Sequence, residues 1–460
     1  MSPAPDTRII ELAAAMEVVN LPNDNDRVET EDMVFESELN YSSSPLKPMR
    51  AILHTPQTCE RRPWDDLVAA GPACNPVDFP RPKFERGKRA DVLCYNAATD
   101  QHDVVKNVLF RDFNREYPDD GDTRVQEAYW PMPYKENIKT IMGHVEICIV
   151  LTRCVWQADD DDDDDSSYDK DDEGEEDIVF QVTSQHVAVK VNYCDRMDQL
   201  RNRHAENPLT EIAAAQMIGE AHPNVLGCKD VLFDGKNLNV VMQYCNSGDM
   251  FQLLQDSVRE GDQPGMTEGQ ARYWFRQVMS GVQYLHSLGI CHRDLSPENV
   301  MIDGKGCLII DMGMCLRVPY TDARDATAIV TDISQGSQKR LFKPQGACGK
   351  LPYMSPEIYR NRHDFDGAAV DVWTAGTILF CMVTGNRSYQ RPHPSDPQFY
   401  WMSRGLTQLL SDWRVTLSPQ GVHLLQNMLQ IDPRLRLTIE EVVNHPWFDH
   451  PDEPVRFNNI

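Results

Sequence analysis

The apolar positions of this chain fall into two regimes. Short runs rich in β-branched and apolar residues at 187–191 and 238–242 predict strands, and Leu308-Ile309-Ile310 predicts another. Beyond Gly248 the apolar spacing lengthens to three and four residues. It predicts helices over 269–288, 370–384, 420–430 and 439–444, with an earlier one over 209–218. A strand-rich part followed by a helix-rich part predicts two lobes with a cleft between them. N-terminal to this the pattern fades. Ile9, Ile10, Leu12, Ala13, Met16 and Val19 have helical spacing and predict one short amphipathic helix. Residues 42–48 and 71–82 read as linker, and 14 of the 30 prolines lie within residues 1–134. The expected organisation is a partly disordered extension over 1–134, the folded domain over 135–449 and a short tail over 450–460. No internal repeat indicates a solenoid.

Charge narrows the partners. Lys+Arg 45 against Asp+Glu 71 leaves a net charge of −26, which repels phosphate backbones and argues against nucleic-acid binding through the global field. Residues 159–177 hold 14 acidic side chains and one lysine, so a solvated, disordered insert is expected over 158–177. Asp169, Asp171, Glu173 and Gly174 imitate the start of a calcium loop. The twelfth position, where a bidentate carboxylate is needed, is Phe180, so that reading fails. No apolar run approaches the roughly 18 residues that a membrane span needs. Asp6 and Glu11 stand where a signal peptide would be basic and then apolar. The 13 cysteines show no C-x-x-C pair, which predicts free thiols and a cytoplasmic or nuclear setting.

The chemistry concentrates in a few strings. His292-Arg293-Asp294-Leu295-Ser296-Pro297-Glu298-Asn299 places an asparagine five residues after an aspartate. Phosphoryl transfer needs a carboxylate to take the proton of the attacking hydroxyl and oxygen ligands for the cation on the phosphates. Asp294 and Asn299 suit those tasks. Asp311-Met312-Gly313 follows after twelve residues, and Val187-Ala188-Val189-Lys190 lies upstream with Glu211 21 residues beyond the lysine. Cys348-Gly349-Lys350-Leu351-Pro352 leads to Ser355-Pro356-Glu357, and Asp371, Arg436 and His445-Pro446-Trp447-Phe448 come later. In order and spacing these strings resemble the H-R-D, D-F-G, V-A-I-K and A-P-E motifs of the eukaryotic protein kinase superfamily. The ending resembles calcium/calmodulin-kinase-like members.

The resemblance implies an α+β, bilobal fold: a small β-rich N-lobe with one helix and a larger α-helical C-lobe. It implies ATP with Mg2+ or Mn2+, and transfer of the γ-phosphoryl group to serine or threonine of protein substrates. Asp294 would be the base, Asn299 and Asp311 the metal ligands, and Lys190, paired with Glu211, the grip on the phosphates. Met242 would be the gatekeeper, Gln243 and Cys245 the hinge, and Ala188 and Met301 the faces of the adenine site. The glycine-rich loop maps to Ile138-x-Thr140-x-x-Gly143-x-Val145, which keeps one glycine of three. A rival start at Ala90–Val92 with Lys106 lies more than 100 residues before Glu211 and is set aside.

Three further departures stand out. Ser296 occupies the place where Ser/Thr kinases carry a lysine that steadies the transferred phosphoryl group, Lys350 replaces a threonine beside that place, and Met312 replaces the phenylalanine of D-F-G. One reading moves the positive charge across the contact, so that Lys350 serves over the small Ser296; the other leaves Lys350 in solvent. Arg293 implies a phosphate on the activation segment. Either Ser337 or Thr331 supplies it, or none is needed. Asp249 and Glu298 imply basic protein substrates. Rival functions are a pseudokinase scaffold and an acidic arm that binds a basic protein.

Overall fold

A computed structural model describes residues 68–69, 71–97, 99–112, 127–154, 179–200, 207–260, 265–321, 328–330, 333 and 337–453. The predicted helix near residue 10, the 42–48 linker, the acidic run and Thr331 lie outside them.

The N-terminal lobe is one sheet of eight strands: β1 (Glu85–Asn96), β2 (Gln101–Arg111), β3 (Glu127–Pro131), β4 (Ile138–Lys139), β5 (Gly143–Cys154), β6 (Val179–Tyr193), β7 (Asp230–Phe233) and β8 (Asn237–Gln243). They lie in the order β3-β2-β1-β7-β8-β6-β5-β4, and β3 also pairs with β5, so seven strands close into a ring. The extension expected to be loose over 1–134 therefore contributes three ordered strands. Closure removes the unpaired edges that β5 and β7 would otherwise present. It also buries Leu109, Tyr129, Cys148, Val150, Val189, Leu232 and Val241 in a common interior. Ion pairs fix the added strands to the rest: Arg111 to Asp230 at 2.9 Å, Lys229 to Glu127 at 2.7 Å, and Arg89 to Glu146 at 2.9 Å.

Two helices leave β6: α1 (Cys194–Leu200) and α2 (Pro208–Ile218). Asn207 caps α2 by accepting from the amide of Leu209, and Pro208 sits at its first turn, where its missing N–H costs nothing. Ile212 packs with Cys228, Val231, Leu238 and Val240 against the sheet.

The C-terminal lobe carries α3 (Met250–Glu260), α4 (Glu268–Ser287), α5 (Pro356–Arg360), α6 (Gly367–Thr384), α7 (Pro397–Arg404), α8 (Leu406–Asp412), α9 (Pro419–Met428) and α10 (Ile439–Val443). Short strands β9 (Ile290–Cys291), β10 (Val300–Asp303), β11 (Gly306–Ile309), β12 (Leu316–Arg317), β13 (Tyr320–Thr321), β14 (Ile329–Val330) and β15 (Gln338–Lys339) lie between α4 and α5. The predicted helices match α2, α4, α6, α9 and α10 to within a few residues. One expectation is corrected: α6 is 18 residues long and apolar enough to cross a membrane. It is almost wholly buried as the central helix of this lobe, which accounts for its composition. Arg436 donates to both carboxylate oxygens of Glu357, at 2.7 and 3.1 Å, and so ties the end of the activation segment to the base of the lobe.

Candidate active site

The site forms where four local motifs meet. Lys190 on β6 points its ammonium at Glu211 on α2, with Nζ 2.5 Å from Oε1. Both line a cavity of about 40 Å³ together with Met242, Asp311 and Met312. The lysine, its acid, the gatekeeper position and the D-M-G aspartate therefore share one space. Met312 is buried and joins the core of the C-terminal lobe, so its flexible thioether fills the place without a ring.

The loop carrying Asp294 is held by a residue far along the chain. The fully buried Asp371 accepts the backbone amide of His292 at 2.9 Å and that of Arg293 at 2.8 Å. Those bonds stabilise Arg293 at φ +66°, a left-handed conformation rare for such a side chain. Asp311 is likewise left-handed at φ +67°, and its Oδ1 accepts the amide of Gly313 at 3.1 Å. Asn299 donates from Nδ2 to the Asp294 carbonyl at 2.8 Å and to its Oδ2 at 3.3 Å. Burial pushes the Asp294 carboxyl up to about 6; the Lys350 charge pulls it down and Asp311 pushes it further up.

Two buried acceptors, Asn299 Oδ1 and Asp294 Oδ1, lack a hydrogen-bond partner among the described residues. An orphaned amide oxygen of this kind suits a hard cation. No group of three His, Cys, Asp or Glu side chains gathers to hold a metal among the described residues. Asn299 with Asp311 would form a two-ligand set, fitting a magnesium-type ion that completes its shell with phosphate and water.

Lys350 lies inside the site. Its Nζ donates to Ser296 Oγ at 3.0 Å and sits 3.4 Å from Glu298 Oε2, and Ser296 is fully buried. The glycine at 349 is required by its neighbours, because at φ +88° an added Cβ would meet Asp294 Oδ1 at 3.1 Å.

The positions expected to face a nucleotide spread over both lobes. Val145 on β5 pairs with Lys190 on β6, and Ala188 pairs with Met242 on β8. Gln243 ends β8 and donates to Asp303 at 2.6 Å, with Cys245 just beyond it, while Met301 lies on β10 and is bridged to Asp249. Gly143 closes a tight turn with Thr140, whose Oγ1 accepts its amide at 3.0 Å. A Cβ there would lie 1.9 Å from the Val191 carbonyl, so this glycine is demanded by the β5–β6 ladder. Lys106 is exposed on β2, and it is Lys190 that pairs with Glu211.

Residues 174–448 match the model of the protein kinase domain. The chain is 29% identical over 272 residues to an abscisic acid-inducible protein kinase of Triticum aestivum, covering 58% of this chain and 71% of that one. It is 31% identical over 233 residues to serine/threonine-protein kinase SAPK1 of Oryza sativa subsp. japonica, covering 49% and 60%. Against serine/threonine-protein kinase SRK2I of Arabidopsis thaliana the identity is 29% over 274 residues, covering 58% and 66%. The chain thus spans roughly 60–70% of the length of these relatives. Strands β1–β5 precede the matched region, although they belong to the same sheet as β6–β8.

Proposed function

The chain belongs to the protein kinase domain family, and from that premise we propose that it transfers the γ-phosphoryl group of ATP to serine or threonine hydroxyls of protein substrates. The observation that carries this reading is the Lys190–Glu211 pair opening on the same cavity as Asp311. Asp294 and Asn299 stand beside it, close enough for Asp311 to push up the Asp294 carboxyl. Mg2+-bound ATP supplies the electrophilic phosphorus and the charge neutralisation of its own oxygens. Lys190 holds and orients the phosphates, with Glu211 fixing its ammonium. Asn299 and Asp311 hold the cation, with Mn2+ as the other ion to try. Asp294 takes the proton of the attacking hydroxyl at a carboxylate whose raised pKa keeps it basic. Lys350 supplies a positive charge beside Ser296, at the place where the catalytic loop lacks one.

Ala188 and Met301 flank the adenine, and backbone groups of Gln243 and Cys245 meet its edge. Val145 and the Gly143 turn cover the phosphates. Within the family, the buried Trp447 and the 3-10 turn Pro446–Asp449 support a calcium/calmodulin-kinase-like placement. Substrate preference would fall on basic sequences through Asp249 and Glu298, with Lys350 3.4 Å from Glu298. Nothing favours the scaffold reading: Lys190, Glu211, Asp294, Asn299 and Asp311 are all present. Nucleic acid and membrane have no part in the proposed reaction, and the setting is cytoplasmic or nuclear. The test is ATP-dependent phosphorylation of a generic basic protein such as myelin basic protein, with Asp294→Asn as control. Equal incorporation by both proteins, or none by the wild type with either metal, overturns the reading.

A further inference from the structure

Residues 68–69 and 71–84, of which 71–82 are expected to be linker, run as a strap along the activation segment and on to α2. At one end the Ala69 amide donates to the Lys339 carbonyl at 2.9 Å. Cys74 donates to the Leu341 carbonyl and accepts from the Lys343 amide, both at 2.9 Å, and the Val77 amide reaches the Arg317 carbonyl at 3.1 Å. These bonds grip the segment on both sides of its middle, from just after the D-M-G motif to just before Gly346. Side chains add to them. The buried Arg340 donates to the Pro72 carbonyl at 2.5 Å, and Arg317 donates to the Asp78 carbonyl at 3.2 Å. Gly71 sits at φ +128° against the Arg340 guanidinium, which a Cβ would meet at 2.9 Å. At the other end the side-chain amide of Gln216 clasps Lys83 from both sides. Its Oε1 accepts the Lys83 amide at 2.9 Å, and its Nε2 donates to the Lys83 carbonyl. Gln216 lies on the same helix as Glu211.

The place where an activation-segment phosphate would act is already filled. Arg293 donates to the carbonyls of Met314 and Gly346, at 3.3 and 3.4 Å, and its guanidinium lies 5.6 Å from the centre of the Phe365 ring. Its Nε is the nitrogen left without a partner among the described residues, and it is sealed from solvent. Phe365 exchanges backbone bonds with Phe342, at 2.8 and 2.9 Å, and Phe342 is the residue bridged to Cys74. The strap therefore bears, through Phe342 and Phe365, on the arginine that precedes Asp294.

We propose that residues 68–69 and 71–84 form a built-in brace that holds α2 and the activation segment in the catalytic arrangement, in place of a phosphate on that segment. The inference rests on the kinase reading above and names how that site is regulated. Displacing the brace frees the Glu211 helix and the segment together, because Gln216 and residues 317 and 339–343 share one support.

The test uses the full chain and two variants that act at opposite ends of the brace. Gln216→Ala keeps the helix and removes the clasp. Gly71→Val places a Cβ against Arg340. Each is expected to lower turnover about 5- to 150-fold, the usual size of a coupling between two sites. Amide hydrogen exchange at Leu341, Phe342 and Lys343 should quicken in both variants while the melting temperature of the whole chain holds. Wild-type protein treated with a phosphatase should keep its activity. The proposal is overturned if both variants turn over and exchange as wild type does. It is also overturned if phosphatase treatment abolishes wild-type activity and rephosphorylation at Ser337 restores it. A wild type that never phosphorylates would fail the kinase reading instead, and the exchange comparison would still decide whether the strap holds the segment.

Discussion

Replacing Lys350 by methionine removes one positive charge and keeps most of the side chain's apolar length. The ammonium it deletes stands 3.0 Å from Ser296 Oγ and 3.4 Å from Glu298 Oε2, on a side chain only 16% exposed. In so enclosed a place a charge-assisted hydrogen bond to a phosphoryl oxygen is worth roughly 1.5–3 kcal/mol. Turnover should therefore fall about 10- to 150-fold. A second signature follows from Asp294. Burial lifts its carboxyl to about 6 and the Lys350 charge opposes that rise, so Lys350→Met lets the value climb further. The acid limb of the pH–rate profile should move to higher pH. A lysine facing solvent would change neither quantity. Binding gives an independent readout, since calorimetry should show ATP weakened more than ADP. Ser296→Lys combined with Lys350→Thr should restore turnover, because the shortened residue 350 vacates the space that the new lysine needs. Full activity in Lys350→Met with an unmoved acid limb would refute the reasoning.

Two shorter predictions concern stability. The folded protein holds Asp294 at about 6, against an ordinary 3.8, so the folded state binds its proton more tightly than the unfolded chain does. Ionised Asp294 thus destabilises the fold as pH rises from about 4 through 6, at a cost of up to about 3 kcal/mol above that window. Asp294→Asn should abolish turnover and raise the melting temperature at pH 7.5, and scanning calorimetry should show that gain shrink toward pH 4. Arg436→Met leaves the Glu357 carboxylate without the partner that holds it at 2.7 and 3.1 Å. Urea unfolding should show a loss of about 3–5 kcal/mol, the usual cost of stranding half of a buried ion pair.

The candidate site residues were legible because each sits in a short string whose spacing is set by local geometry. Asn299 reaches the carbonyl of Asp294 within one turn of loop, and Lys190 needs only a strand and a helix to meet Glu211. Strands β1 and β2 were not legible. Six of the eleven β2 residues are exposed, all within its first seven positions, and its buried Val105, Val108 and Phe110 pack with Leu151 and Phe180 of later strands. The proline-rich stretch before them argued for linker, and up to Pro82 that reading missed a different point. A strap bound through backbone N–H and C=O groups leaves almost no side-chain signature, since any residue but proline can donate there. Asp371 was visible as part of a motif, yet its hold on two amides of the catalytic loop lies 78 and 79 residues away in sequence. The α6 composition is ambiguous for the same reason: a helix buried on all sides reads like one that crosses lipid.

The relocated charge and the brace bear on each other. In this chain the cation beside Ser296 comes from residue 350, on the activation segment, whereas a lysine at 296 would ride on the catalytic loop that Asp371 fixes. Segment position then controls both the shape of the site and the delivery of one of its charges, and anything that loosens the segment should be felt twice. A double-mutant cycle can separate the two effects. Gln216→Ala is made once in the natural background and once in Ser296→Lys/Lys350→Thr, and turnover is compared. With the cation returned to the catalytic loop, the loss caused by Gln216→Ala should shrink, because only the Glu211 helix still depends on the clasp. Equal losses in the two backgrounds would mean that the segment does not carry the charge into the reaction, and the link between Lys350 and the brace would have to be given up.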